Sequence, residues 1–399
     1  MLPHGNGRSY GDVCLNDEGA LLAARSLDRF ISFDPVAGTL VCEAGVTLSE
    51  ILDLIVPCGW FLPVTPGTKY VTVGGAIAND VHGKNHHRVG SFGHFVRRFE
   101  LLRSDETRLM CTPGLNADWF HATIGGLGLT GLVTWAEIAL RRINNAWMVG
   151  DTVRFFSLEE FFQLSSASES EYEYTVAWID CADAHGRGLF MRANHAPAQS
   201  EHLSPMPRRS LRIPITPPVA LVNRLTLPVF NWAYFWKART DVGHQVVHYD
   251  PFFYPLDSVL QWNRLYGPKG FLQYQCVVPA RSAESSIHEL LTRIGRRKAG
   301  SFLAVLKTFG TMPSMGLMSF PRSGATLALD FPLLGPQTFD LLEELDRIVL
   351  EAGGAVYPAK DARMSPAMFE KSFSSLDSFS SFIDPAFSSS FWRRVTTDL

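Results

Sequence analysis

"VTVGGAIANDVHGKNHHRVGSFGHF", residues 71–95, sets five glycines and four histidines among small apolar residues. Such a stretch suits a metal site, a catalytic histidine cluster, or a backbone that lies against a flat, charged ligand. His82 and His86 stand four residues apart, but that spacing serves a metal only on a helix. Gly83 and Asn85 oppose a helix there, and no helix-borne H-E-x-x-H motif is present, so no metal is expected.

The chain around it narrows the choice. At 399 residues it exceeds what one core organises, so two domains are expected. The net charge of −3, with no long basic run, argues against a nucleic-acid partner. A hydrophobic content of 46%, with 12% aromatics, is that of a folded protein rather than a disordered one. Cys14, Cys42, Cys58, Cys111, Cys181 and Cys276 are scattered without a C-x-x-C pair, as free thiols would be. No run approaches the roughly 20 apolar residues of a membrane span, and the start lacks the basic-then-apolar pattern of a signal peptide.

Hydrophobic periodicity places elements on both sides of the stretch. "TLSEILDLIVPCGW" reads as a helix with Thr47 as N-cap and Glu50 completing a capping box. Short strands and turns precede it over 20–48; "RRFELLRS" and "LVTWAEIALRRI" read as strands, with a helix around "NADWFHATIG" between them. From about residue 144 the strands are longer and richer in aromatics: "YTVAWIDC", "FLQYQCVVP", "FLAVLKTFG" and "ATLALDFPL". Helices over "SAESSIHELLTRIGRRKAG" and "PQTFDLLEELDRIVLEAGG" join them, which makes an α+β arrangement of antiparallel sheet with helices on one side. The serine-rich "SFSSLDSFSSFIDPAFSSSFWRRV" carries enough phenylalanine to be packed.

One segment, 212–237, is apolar without being a span. Pro214, Pro217, Pro218 and Pro228 forbid one long helix. It either packs on its own domain or presents an apolar surface to lipid, with Val229, Phe230 and Phe235 as the contacts.

Three glycine-rich stretches lie in the first 135 residues: "HGNGRSYGD" (4–12), "TPGTKYVTVGGAIAND" (65–80) and "IGGLGLTG" (124–131). The last holds a formal G-x-G-x-x-G at Gly126, Gly128 and Gly131, but in the order helix, loop, strand rather than the strand, loop, helix of a dinucleotide fingerprint. Each loop alone reads as a tight turn. Together they favour a large phosphate-bearing cofactor, because glycines let backbone N–H groups approach a diphosphate.

"GNGRSYGD", "VTPGTKYVTVGGAIANDVHGKNHHRVGSFG" and "TIGGLGLTGLV" resemble the FAD-binding half of the vanillyl-alcohol-oxidase type of flavoprotein (PCMH-type FAD-binding fold). The nearer likeness is to its decaprenylphosphoryl-β-D-ribose 2′-oxidase branch. It extends through "FYPLDSVLQWNRLYGPKGFLQYQCVVP", "SFLAVLKTFG", "LALDFP" and "VYPAKDAR", nearly the whole chain. The resemblance implies a FAD-binding domain over 1–143, a substrate domain over 144–354 and a return to the FAD domain over 355–399. It implies FAD contacts at Gly5, Asn6, Gly7, Arg8, Ser9 and Tyr10 in the first loop, and at Gly67, Thr68, Thr72, Gly74, Gly75, Ala76 and Asn79 in the second. Further FAD contacts fall at His82, Gly83 and Asn85, at Gly125, Gly128, Gly131, Leu132 and Val133, and at Tyr357 and Lys360. The first loop lacks the histidine to which many relatives tether FAD, so non-covalent FAD is expected.

The chemistry that the resemblance implies is oxidation of the C2 hydroxyl of a polyprenyl-phosphate-linked ribose to a ketone. A hydride passes to the flavin, a base takes the hydroxyl proton, and a cation balances charge on the reduced ring. Lys360 and Tyr357 match residues at the flavin; His82 and Lys360 are both candidates for the base. Trp178, Tyr254, Gln273, Gln275 and Lys307 match residues of the substrate pocket. An NADH-dependent keto-reductase would complete ribose-to-arabinose epimerisation for cell-wall arabinan, in the bacterial cytoplasm or at the periphery of the inner membrane. Two departures stand out. Thr326 and Ala328 replace the Asn and Cys of the branch, and Met1 falls inside the expected FAD domain, as though an N-terminal β-α-β unit were missing. A soluble aldonolactone or sugar oxidase, and a flavin-fold protein without catalysis, are the alternative readings.

Overall fold

The computed structural model describes residues 1–183, 185–198, 210–238, 240 and 245–397. Met1–Ala146, Met312–Pro321 and Pro358–Leu399 form one compact unit, and Trp147–Thr311 with Arg322–Tyr357 a second. Met312–Pro321, which the sequence reading leaves within 144–354, thus belongs with the first unit.

The first unit is built on a five-stranded antiparallel sheet. Its order is Phe30–Asp34, Thr39–Glu43, Leu132–Ala139, Val96–Leu102, Arg108–Cys111. The helix read from Thr47 runs over Leu48–Ile55. The Thr47 hydroxyl accepts from the Glu50 amide and the Glu50 carboxylate accepts from the Thr47 amide at 2.8 Å, an arrangement worth about 1 kcal/mol. Leu48, Ile51, Leu52 and Ile55 form its buried stripe. The G-x-G-x-x-G match lies between helix Ala117–Thr123 and strand Leu132–Ala139, in the order that excludes a dinucleotide fingerprint. The serine-rich C-terminal stretch is packed: Phe373, Phe379, Phe387 and Phe391 are buried. Asp384 accepts from the amide and hydroxyl of Ser104 at 2.8 and 2.5 Å, which fastens it to the sheet side of the unit.

The second unit is an eight-stranded antiparallel sheet. Its order is Gln245–His248, Trp147–Phe155, Gly188–His195, Tyr174–Ile179, Val305–Phe309, Gly324–Pro332, Phe271–Pro279, Ala355–Val356. Side chains alternate between faces along each strand. Phe155, Phe190, Leu306, Leu327 and Cys276 point to one face, buried under helices Leu158–Ser168, Ala283–Arg296 and Pro336–Glu351. The chain is therefore mixed α+β, with three helices on one side of its large sheet.

The apolar 212–237 segment adds a 12-residue helix, Thr226–Lys237, with Pro228 in its first turn, where a missing N–H costs nothing. Leu227, Asn231 and Phe235 form its buried face. Phe235 is fully buried beside Trp178 and Leu189, so it cannot be one of the lipid contacts expected from sequence. No helix among the described residues is long and apolar enough to cross a membrane.

Candidate functional site

The three glycine loops and the C-terminal return from Pro358 meet in the first unit. The first loop follows strand Leu2–His4, and the Asn6 side chain donates to the Tyr70 carbonyl of the second at 2.7 Å. The second loop feeds helix Val73–Ala78, capped by the Thr72 hydroxyl on the Gly75 amide; Asn79 donates back to the Gly75 carbonyl at 2.9 Å. Amides of Gly125 and Leu127 in the third loop donate to Ile77 and Ala78 at 2.9 and 2.8 Å. The Tyr10 amide donates to the Ala359 carbonyl at 2.8 Å. Gly11, at φ +68°, is where this return lies closest, and a Cβ there would collide with the Asp361 carbonyl. Leu132 and Val133 open the central strand, paired in its ladder with Leu102 and Leu101.

The backbone of Gly67 faces open space: nothing stands within 4 Å of where its Cβ would be. Three cations stand over aromatic rings of the first two loops. The Arg8 guanidinium lies 5.6 Å from the Tyr70 ring centroid, Lys69 Nζ 6.0 Å from the same ring, and Lys360 Nζ 4.1 Å from the Tyr10 ring. Lys69 is buried, and sequence reasoning passed over it in "TPGTKY". Accessible glycine backbone, small side chains and cations on these loops and on the return are the donor set that a diphosphate-bearing flavin nucleotide needs, so the residues fit FAD. Asp361, the neighbour with which an ordinary surface lysine at 360 would pair, accepts from Arg394 at 2.9 Å and from the Met364 amide.

His82 lies at the base of a closed loop. An isolated antiparallel bridge joins it to Ser91, and its ring sits 5.7 Å from that of Phe320. His86 begins a single helical turn, His86–Val89, so His82 and His86 do not share a helix. Among the described residues no group of three or more His, Cys, Asp or Glu could hold a metal. Gly83 lets the loop approach the Thr65 carbonyl, and Asn85 is buried, its side chain donating to the Pro63 carbonyl at 2.8 Å.

Asp80 organises this loop, and sequence reasoning missed it. It is wholly buried, at φ +39°. One carboxylate oxygen accepts from the Ser91 hydroxyl at 2.8 Å and the Ser319 hydroxyl at 2.6 Å, the other from the Gly93 amide at 2.9 Å. Burial pushes its carboxyl up, against the downward pull of these donors and of His94. Ser319 comes from the Met312–Pro321 excursion, 239 residues away in sequence.

In the second unit, strand registers put the expected substrate residues on one face, opposite the three helices. Trp178 pairs with Val305, Lys307 with Thr326, Gln275 with Ala328 and Gln273 with Asp330, so all of these side chains share that face. The Tyr357 amide donates to the Gln275 carbonyl at 2.9 Å and continues the register. Tyr254 follows helix Tyr249–Phe253, whose Phe253 packs edge-on against Tyr174 of the same face. Buried Asp330, another residue missed from sequence, accepts from Gln273 Nε2 at 2.6 Å and the Tyr266 hydroxyl at 3.2 Å. Gln273 therefore offers its Oε1, an acceptor. Gln275 Nε2 donates to the Thr326 hydroxyl at 3.1 Å. Burial pushes the thiols of Cys42, Cys111, Cys181 and Cys276 up to about 12, which removes them as nucleophiles at neutral pH.

Residues 1–112 match the model of a family described as FAD binding domain. The chain is 36% identical over 389 residues to decaprenylphosphoryl-beta-D-ribose oxidase of Mycolicibacterium smegmatis, covering 94% of this chain and 84% of that one. It is 32% identical over 369 residues to an uncharacterized protein of Streptomyces coelicolor, 88% of this chain and 100% of that one. Delta(24)-sterol reductase of Homo sapiens matches over 98 residues at 35% identity, 25% of this chain and 19% of its own. Glycine loops gathered around one helix, a matching FAD-binding model and a likeness running through both units lead to one statement: the chain belongs to the FAD-dependent oxidoreductases of the vanillyl-alcohol-oxidase type.

Proposed function

We propose that the protein oxidises the C2 hydroxyl of a polyprenylphosphoryl-β-D-ribose to the 2-keto sugar. The observation that carries this reading is the shared sheet face of Trp178, Lys307, Gln275 and Gln273, with Tyr254 beside it. A cation and several amides next to aromatic surface suit a phosphorylated sugar with an apolar tail. The similarity to an oxidase of decaprenylphosphoryl-ribose supports the same substrate class.

When bound, FAD supplies the two-electron acceptor for the hydride that leaves C2. His82 takes the hydroxyl proton, and Lys360 stands as the fixed positive charge, because a cation seated on an aromatic face suits charge stabilisation better than proton shuttling. Tyr357 continues the substrate face beside Gln275. Lys307 pairs with the phosphate, and Gln273 and Gln275 hold sugar hydroxyls. The 2-keto product needs a hydride-donating keto-reductase, NADH-dependent, to complete the inversion at C2.

Anaerobic mixing with polyprenylphosphoryl-ribose should bleach the flavin, and free ribose or an aldonolactone should not. Bleaching by the free aldonolactone alone would make this a sugar oxidase of another kind. FAD is held without a covalent bond: the Gly5–Asp12 loop has no histidine, and the His4 ring is engaged 2.9 Å from the Cys14 carbonyl. Acid precipitation should leave the yellow chromophore in the supernatant; a yellow pellet would contradict this.

A further inference from the structure

Helix Thr226–Lys237 is apolar nearly all round, yet only one side of it is covered. Leu225, Val229, Trp232 and Trp236, spaced as one helical stripe, are 74%, 68%, 58% and 49% exposed. A helix of that composition is normally buried on every side, so this stripe faces something apolar in use. The loop before it extends the patch, with Ile215 and Val219 71% and 68% exposed.

Charge identifies what that is. From Ser210 to Ala238 the chain has no acidic residue, whereas Arg212, Arg224 and Lys237 are all exposed. Tryptophan and basic residues around an apolar stripe, on a helix too short to span a bilayer, are the composition of an interfacial helix. Its placement agrees. The helix sits on the sheet face that carries Trp178 and Lys307: Tyr234 packs 4.8 Å from the Trp178 ring, and Arg154 of that face donates to the carbonyls of Phe235 and Ala238. Asn231 is locked to Asp180 at 2.7 Å, which fixes the rotation of the helix and keeps the stripe outward.

We propose that the Leu225–Trp236 stripe, with the 212–224 loop, docks the protein on an anionic lipid surface. Docking sets the substrate face of the second unit beside the plane in which a prenyl tail is held. This rests on the lipid-linked substrate reading for its purpose, but not for its test.

The full-length holoprotein is sedimented with vesicles of phosphatidylcholine alone and of phosphatidylcholine with phosphatidylglycerol. Binding is expected to the anionic vesicles, weakened by salt, with tryptophan fluorescence quenched by brominated acyl chains. The triple variant Leu225→Ser, Val229→Ser, Trp232→Ser should lose about tenfold or more in vesicle affinity, with unchanged circular dichroism and flavin absorbance. Equal binding by wild type and variant, or no binding by wild type, would overturn the proposal. So would a wild-type dimer that the variant converts to monomer, since a second copy would then cover the stripe. Turnover of a short-chain, water-soluble prenylphosphoryl-ribose separates the two ideas: it should persist in the triple variant, and its absence in wild type would count against the substrate reading alone.

Discussion

Lys360→Met is expected to leave the fold intact and slow anaerobic flavin bleaching by substrate on the order of 100-fold or more. Lys360 lies in the Pro358–Lys360 turn, with Nζ 4.1 Å from the Tyr10 ring centroid, and the Tyr10 amide bonds the carbonyl next to it. A preorganised cation costs no rearrangement when charge develops, so its loss falls on the rate rather than on substrate affinity. Methionine preserves the length and apolar stem of the side chain and removes only the charge. Stopped-flow absorbance on enzyme reloaded with FAD isolates the chemical step. Bleaching at an undiminished rate would remove Lys360 from the reaction and leave His82 to test.

Asp80→Ala is expected to destabilise the first unit by on the order of 3 kcal/mol, because two hydroxyls and one amide lose a buried acceptor. The urea midpoint reads this directly, and flavin release should accompany it as the His82–Ser91 bridge loosens. Asp80→Asn supplies the pH test. Burial raises the native carboxyl, so the folded protein keeps its proton to higher pH than the unfolded chain does. The stabilisation from that proton is complete below the unfolded value, about 3.9, and is lost as pH rises through the raised native value. Wild type should therefore lose stability relative to Asp80→Asn across that window. A difference that stays flat with pH would show that Asp80 titrates alike in the folded and unfolded chain, with no raised native value.

Local rules were legible wherever the physics is local. The Thr47–Glu50 capping box, the alternating strands and the helix-loop-strand order around Gly126 are each decided within a dozen residues. The glycine loops were legible as a group because each carries its conformational need in its own composition. That they meet was not, since the bonds from Asn6 to Tyr70 and from Tyr10 to Ala359 depend on packing. Asp80 was passed over because its partner Ser319 lies on an excursion that no periodicity announces. Lys69 looks like a surface residue until its burial is known. Phe235 and Val229 look alike in sequence; only the docking of the helix on Trp178 separates them.

The interleaving of the chain sets the order in which the molecule can be finished during synthesis. Ser104 waits for Asp384, 280 residues further on, and Asp80 waits for Ser319. At ribosomal speeds of about 5–20 residues per second, the first of these delays lasts roughly 15–55 s. Every strand of the five-stranded sheet, and all three glycine loops, have emerged well before then. The second unit, complete once Tyr357 has emerged, is therefore able to close while its predecessor in sequence is still missing its final fastening. Nascent chains halted before residue 384 should expose an unfinished first unit to chaperones and proteases, although every residue matched by the FAD-binding model has already been made.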